Sequence, residues 1–340
     1  MIIATLNRPA LLLEAVQSAL EQTRSPLEVI VIDDGSDPPV DAQALARQFG
    51  DRVRLIRNSP SQGLAWARHQ GVEAAAGDCI VHLDDDDLYG PDALSRCARL
   101  LDDDADLDMV FMGVQGFGKS AAHFNQVHPA GAMRVVEQSQ ARTLTDGVFV
   151  FDRDLVHGLL NQVPMPFQRV MARREAWHKV SQLRVNAYRR AFGLNSDEQA
   201  RALIRGTLRD SEWAIYAGLA CKKAALIAEP LYLQRCDGQG ASSRPAMRRT
   251  HIRQTTSIKS VLDQFAQLDS SMQPLRHRIR QSLAQTHFDA AYELIDLGFH
   301  AEALTHLRDG ARLSLRWGHL KLLAKLGLAV ATSSASRHPA

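Results

Sequence analysis

Residues 79–94 read CIVHLDDDDLYGPDAL, an apolar run that breaks into four consecutive aspartates. Cys79–Leu83 has the composition of a buried strand, and Tyr89-Gly90-Pro91 behind the aspartates marks a turn. Working outward toward the N-terminus, Ile2–Thr5 is a short apolar strand and Pro9 stands where a helix can start. Leu11, Leu12, Ala15, Val16, Ala19 and Leu20 recur at helical spacing. LEVIVI at 27–32 is a second strand, stopped by Asp33-Asp34-Gly35-Ser36. Residues 41–49 and 63–76 read as helices, with a strand at Val53–Ile56 between them. Such alternation predicts an α/β fold, a mainly parallel sheet with helices on both faces. Ligands in these sheets bind outside the carboxyl ends of the strands, where both acidic clusters fall.

Toward the C-terminus, residues 115–150 read as irregular. Val170–Val180 and Glu198–Ala220 have helical spacing, Leu226–Gln234 is a late strand, and GQGASSRP at 238–245 is a loop by composition. From about Thr250 the pattern is helical through Leu328, with Phe288–Leu315 resembling an antiparallel helix pair, and the last eight residues read as frayed. The expected organisation is an α/β domain over 1–240, with halves 1–95 and 96–240, followed by a basic helical region over 241–340.

The chain has 340 residues, 45% hydrophobic and 23% charged, with a net charge of +2. Those values exclude a disordered chain or a fibre, and the balance excludes a nucleic-acid binder driven by overall charge. The charge is unevenly placed: residues 1–240 carry −5 and residues 241–340 carry +7. Four cysteines without a CxxC pair suit a reducing, cytoplasmic setting. No apolar run approaches 18 residues, so no membrane span is expected. Arg8, Pro9 and Glu14 interrupt the apolar start too early for a signal peptide.

Four adjacent carboxylates repel unless a cation is shared among them. Mg²⁺ and Mn²⁺ prefer oxygen ligands and keep sites for waters and substrate phosphates. In an extended segment Asp84 and Asp86 face one ligand while Asp85 faces elsewhere. Asp34, at the other strand end, is suited to accept hydrogen bonds from a ribose or a base edge. Arg244, Arg248 and Arg249 could fold over a diphosphate and stabilise the leaving group.

Together, TLNRP (5–9), SALEQT (18–23), LEVIVIDDGSD (27–37), GLAWARHQGVEAAAGD (63–78), LDDDDLYGPDAL (83–94) and RDSEWAIYAGLA (209–220) resemble the family 2 glycosyltransferases. These are nucleotide-sugar-dependent enzymes of the GT-A fold. The resemblance implies that Asp34 bonds the nucleotide base, with uracil favoured, and that Thr5 and Asn7 line the same pocket. It implies further that Arg68 lies near the base or diphosphate and that Asp84–Asp86 form the DxD-type element. In that element Asp86 would ligate Mn²⁺ or Mg²⁺ and Asp85 would contact ribose or donor sugar. Asp210 falls at the general base. Leu231–Arg235 resembles the family's late strand, with Asp237 roughly at its histidine position. Arg209 stands where an acidic residue is common, and Ser181-Gln182-Leu183 where Gly-Gly-Phe is usual.

The expectation is an inverting, metal-dependent, hexosyltransferase-like enzyme that moves a sugar from a nucleotide-diphosphate donor, UDP-linked by preference, to a hydroxyl acceptor. The acceptor would be a glycan, a lipid-linked sugar or a protein, as in cell-surface polysaccharide synthesis. The alternative is a non-catalytic nucleotide-sugar-binding or regulatory protein, favoured by Arg209 and the 181–183 segment. A nucleotidyltransferase is disfavoured because residues 5–12 contain no glycine. In the tail, Arg312, Arg316, Lys321 and Lys325 share a side, while Leu313, Trp317, Leu320, Leu323 and Leu328 form an apolar surface. Such a helix could lie on the inner face of a membrane, or pack in the fold or in an oligomer.

Overall fold

The computed structural model describes residues 1–152, 155–161, 169–205, 210–237, 245–314 and 321–326. The chain divides into two compact units, one of residues 1–186 and 196–239 and the other of 187–195 and 240–340.

The first unit is built on one mixed sheet. Strands β1 (Ile2–Thr5), β2 (Val29–Asp33), β3 (Val53–Arg57) and β4 (Cys79–Asp84) are parallel, in the order β3-β2-β1-β4. All five residues of β2 are buried, as expected for a central strand covered on both faces. Helix α1 (Pro9–Leu20) starts on its proline and buries Leu12, Ala15, Val16, Ala19 and Leu20. Helix α2 (Ala42–Phe49) is capped by the Asp41 carboxylate, which accepts from the Gln43 and Ala44 N–H groups. Helix α3 (Leu64–Ala74) returns the chain to β4.

Beyond β4 the sheet turns mixed, and two sequence expectations need correction. Residues 115–150 are not irregular: β6 (Met109–Phe117), α5 (Ala121–Gln138), β7 (Arg142–Thr145) and β8 (Val148–Phe151) fill the region. Val170–Val180 is not one helix, because Val170–Arg173 forms β9, inserted antiparallel between β4 and β6, before α7 (Arg174–Phe192) begins. The 198–220 region holds two helices, α8 (Asp197–Arg205) and α9 (Asp210–Ala220). The late strand, β10 (Ala224–Arg235), runs parallel to β6 and antiparallel to β8.

One irregularity in β10 matters for the site. Its register against β6 shifts on either side of Pro230, and the bulged backbone crosses directly over Gly113. A Cβ there would stand 2.2 Å from the Ala228 carbonyl oxygen, so only glycine admits the bulge. Past it, Tyr232 and Leu233 pair with the two-residue strand β5 (Leu88–Tyr89), immediately after the four aspartates.

The second unit is helical. Helices α10 (Pro245–Leu268), α11 (Arg276–Asp296) and α12 (His300–Leu313) share a core of Ile252, Ala291, Leu294, Ala303, Leu307 and neighbours. Arg249 and Arg253 of α10 both pair with Glu302 of α12. Leu322 and Leu326 are buried in that core and Lys325 pairs with Asp296 at 2.8 Å, while Leu323 is exposed. Of the apolar face expected for the tail, Leu323 is thus turned outward, while Leu313 is half-buried. Trp317, Leu320 and Leu328 lie outside the described residues. Among the described residues no helix is long and apolar enough to cross a membrane.

Candidate active site at the strand ends

Two acidic turns stand at the carboxyl ends of β2 and β4. In the first, after β2, Asp33 and Asp34 serve the loops around them. Asp33 accepts from the Ser36 N–H at 2.8 Å and the Val40 N–H at 3.1 Å, and pairs with Arg57. Asp34 accepts from Asn58 Nδ2 and the Gln62 N–H on one oxygen, and from Ser61 Oγ and the Gly63 N–H on the other, at 2.6–2.9 Å. Burial pushes this carboxyl up, but the four donors outweigh it and hold it below the usual range. A carboxylate has about four lone-pair sites. Asp34 therefore fastens the loop leading into α3, and a base edge would have to replace one of its present donors. Gly35, at φ +91°, makes the turn possible, and a Cβ there would meet Ser61.

Asn7 belongs to the same latch. It adopts φ +58°, its N–H donates to Ser36 Oγ at 2.9 Å, and its side-chain oxygen accepts from the Asp37 N–H at 2.8 Å. The loops after β1 and β2 are thus tied together.

The second turn, after β4, is organised differently. The Asp87 N–H donates to the Asp84 carbonyl at 3.1 Å, so the chain folds back and brings Asp87 beside Asp84. Oxygens of Asp84, Asp86 and Asp87 lie within 4.8 Å of one another. Asp84 and Asp86 share a ligand side as expected; Asp87 joins them because the strand ends at Asp84 and its two-residue alternation stops there. Asp85 points away: it accepts from Thr5 Oγ1 at 2.7 Å and from Arg8 Nη1 at 3.1 Å. Thr5 therefore reaches the acidic turn directly. Arg68 donates to Asp84 at 2.5 Å, which puts its guanidinium beside the acidic turn.

Asp87 is the most perturbed of these carboxyls. Burial, then repulsion from Asp84, push it up to about 7, although the Arg235 N–H and the Tyr232 hydroxyl donate to it at 2.8 and 2.7 Å. Arg235 also donates through Nε to the Asp86 carbonyl at 2.9 Å, pairs with Glu14 at 2.5 Å and stacks over Phe117. Asp87, Tyr232, Arg235 and Arg8 were not singled out from sequence. The signal for Tyr232 and Arg235 was the likeness of 231–235 to a late strand, and for Asp87 its place in the run of four aspartates.

Three hard carboxylate oxygens converging at a strand end fit a divalent cation such as Mn²⁺ or Mg²⁺. Asp84, Asp86 and Asp87 are the residues that would hold it.

Other expected residues fall elsewhere. Asp237 is exposed one residue beyond Cys236, 3.9 Å from Arg235 and against Gly118. Arg248 pairs with Glu293 at 3.3 Å and Arg249 with Glu302, both within the helical unit. Arg244 lies outside the described residues. Asp210 opens α9, and its side chain too is outside them. Two residues on, Glu212 is fully buried and pairs with Arg184 of α7. Together with the Trp177–Trp213 contact, whose centroids are 4.3 Å apart, this pair sets α9 against α7. Ser181, Gln182 and Leu183 lie within α7 as continuous helix.

A family model described as "Glycosyl transferase family 2" matches residues 1–160. Among curated relatives, an uncharacterized glycosyltransferase, YwdF of Bacillus subtilis, is 34% identical over 98 residues, 29% of this chain and 36% of its own. The succinoglycan biosynthesis protein ExoO of Rhizobium meliloti is 39% identical over 103 residues, 30% of this chain and 29% of its own. The matched stretch spans about a third of the length of these curated relatives. Among solved structures, S. aureus TarS superposes with TM-score 0.56 at 15% identity, covering 97% of this chain and 52% of that one. The mannosyltransferase PcManGT of Pyrobaculum calidifontis, in complex with GDP-Man and Mn²⁺, gives 0.51 at 18% identity, covering 97% and 79%. These two likenesses concern the fold. The match to glycosyltransferase family 2 covers residues 1–160, a little under half of the chain, and the fold is GT-A.

Proposed function

We propose that this chain is an inverting glycosyltransferase that moves a sugar from a nucleotide-diphosphate donor, UDP-linked by preference, to a hydroxyl acceptor. The observation that carries the reading is the turn at 84–87, where three carboxylates converge beside Arg68 and Arg235 in a family 2 domain. The family relative named for succinoglycan biosynthesis supports polysaccharide assembly as the setting. The GT-A neighbour in complex with GDP-Man and Mn²⁺ supports a metal-assisted nucleotide-sugar site.

In this reading the nucleoside lies along the latch made by Asn7, Ser36 and the Asp34-bound loop, with its diphosphate directed to the aspartate turn. A divalent ion bound there supplies charge neutralisation for the departing diphosphate. Arg68, held on Asp84, adds a fixed positive group on the same side. Asp210 accepts the acceptor's hydroxyl proton as its oxygen bonds to C1 and the C1–diphosphate bond breaks. The buried Arg184–Glu212 pair orients the helix that begins at Asp210.

The test is a panel of nucleotide sugars offered to the full chain with Mn²⁺ and candidate glycan acceptors, read by mass spectrometry. One donor should be turned over, and Asp210→Asn should keep its affinity for that donor while losing at least about 100-fold in transfer. Full transfer by Asp210→Asn would overturn the assignment of the base. Failure to bind any nucleotide sugar would overturn the function.

A further inference from the structure

Arg8 stands on the carboxylate that the proposed metal site needs. It is the residue before the first turn of α1, and its carbonyl accepts from the Leu12 N–H at 3.0 Å. Its Nη1 lies 2.7 Å from Asp86 Oδ2 and 3.1 Å from Asp85 Oδ1, so one nitrogen bridges the two acids. A cation ligated by the same Asp86 oxygen would need it at about 2.0–2.1 Å. Two positive centres on one oxygen repel, so one must yield.

The two ends of the bridge are not equivalent. Asp85 is buried and held by Thr5 Oγ1, whereas the Asp86 and Arg8 side chains are 35% and 49% exposed. The Arg8–Asp86 contact is the one that can open without disturbing the fold. A guanidinium released there keeps its hinge on Asp85 and faces the place where a diphosphate would arrive. Arginine binds phosphate oxygens through charge-assisted, often bidentate hydrogen bonds.

We propose that Arg8 is a displaceable counter-ion of Asp86, compensating this carboxylate until metal and nucleotide enter and then transferring to the diphosphate. The proposal rests on the metal reading of the 84–87 turn. Metal alone must displace Arg8 with no new partner for it, whereas a nucleoside diphosphate supplies that partner. Mn²⁺ and UDP therefore strengthen each other's binding, and by linkage the effect is reciprocal.

Calorimetry on the full chain tests this with Mn²⁺ alone, then with Mn²⁺ in the presence of saturating UDP. Arg8→Ala should bind Mn²⁺ alone about five-fold more tightly than wild type, and its enhancement by UDP should shrink toward none. Arg8→Lys keeps the charge and should bind Mn²⁺ alone like wild type. Unchanged thermal unfolding of both variants is expected, since the side chain is half exposed. Equal or weaker Mn²⁺ binding by Arg8→Ala, with Asp86→Ala abolishing it, would overturn the role of Arg8 and leave the metal site standing. Mn²⁺ binding unaffected by Asp86→Ala would overturn both.

Discussion

The turns after β2 and β4 both carry consecutive aspartates at the end of a central parallel strand, yet Asp34 in one and Asp86 in the other are balanced in opposite ways. In the first, neutral N–H and O–H donors from the turn and the neighbouring loop fill the oxygens of Asp34, and its carboxyl is held low. In the second, Asp84 and Asp86 meet cationic side chains, and Asp87 lies buried beside like charges with its carboxyl at about 7. Filled oxygens make a latch. Oxygens balanced by a movable arginine and crowded by like charge make a place for a cation.

The sharpest way to break this contrast is by stability. Asp34→Ala removes four hydrogen bonds and takes the acceptor from the Gln62 N–H. It should cost about 4 kcal/mol in urea unfolding, in line with a few charge-assisted hydrogen bonds. Asp86→Ala loses only a half-exposed ion pair and should cost less than about 1 kcal/mol. Equal losses in the two variants would erase the distinction.

Dependence on pH sharpens it next. The folded carboxyl of Asp34 is lowered, so its contribution is present above the unfolded value of 3.8 and is lost as pH falls below it. Asp87 is raised from 3.8 to about 7, so the unfolded chain gives up this proton first and stability falls as pH rises between those values. The slope from this one group is at most about 1.4 kcal/mol per pH unit. In metal-free protein, urea midpoints at several pH values should show Asp87→Asn flattening the fall on the neutral side. An unchanged slope in Asp87→Asn would contradict the raised carboxyl.

The smallest effect concerns the link between the strands. Thr5→Val removes the buried hydrogen bond to Asp85 and should cost about 1 kcal/mol by thermal or urea unfolding. No loss would mean that Asp85 is held by Arg8 alone.

The first four strands were legible because they are short runs rich in apolar residues, β2 and β4 stopped by Asp, and because α1 and α2 open on Pro9 and Asp41. The next stretch was not: β6 contains Gly113 and Gly116, and α5 contains Pro129 and Gly131, residues that read as loop but are tolerated in this packing. β9 was hidden because it passes into α7 with no turn residue between them. Within the site, Asp84, Asp86 and Arg68 could be read from motif and spacing. Asp87 could not, since strand alternation was extended past the residue where the strand stops. Nor could Arg8, since only the folded turn brings it within reach of Asp86. In the tail, a helical projection found an apolar face but not its partner. Burial of Leu322 and Leu326 depends on α10 and α11 as well as the neighbouring α12, and the first two are distant in sequence.

The central claim, that the 84–87 turn is the cation-binding end of the crevice, is tested most directly by Mn²⁺ titration of the full chain in parallel with two variants. Asp86→Asn should lose Mn²⁺ binding while remaining folded, and Asp34→Asn, at a temperature where it is folded, should bind Mn²⁺ like wild type. Wild-type Mn²⁺ affinity in Asp86→Asn would contradict the account.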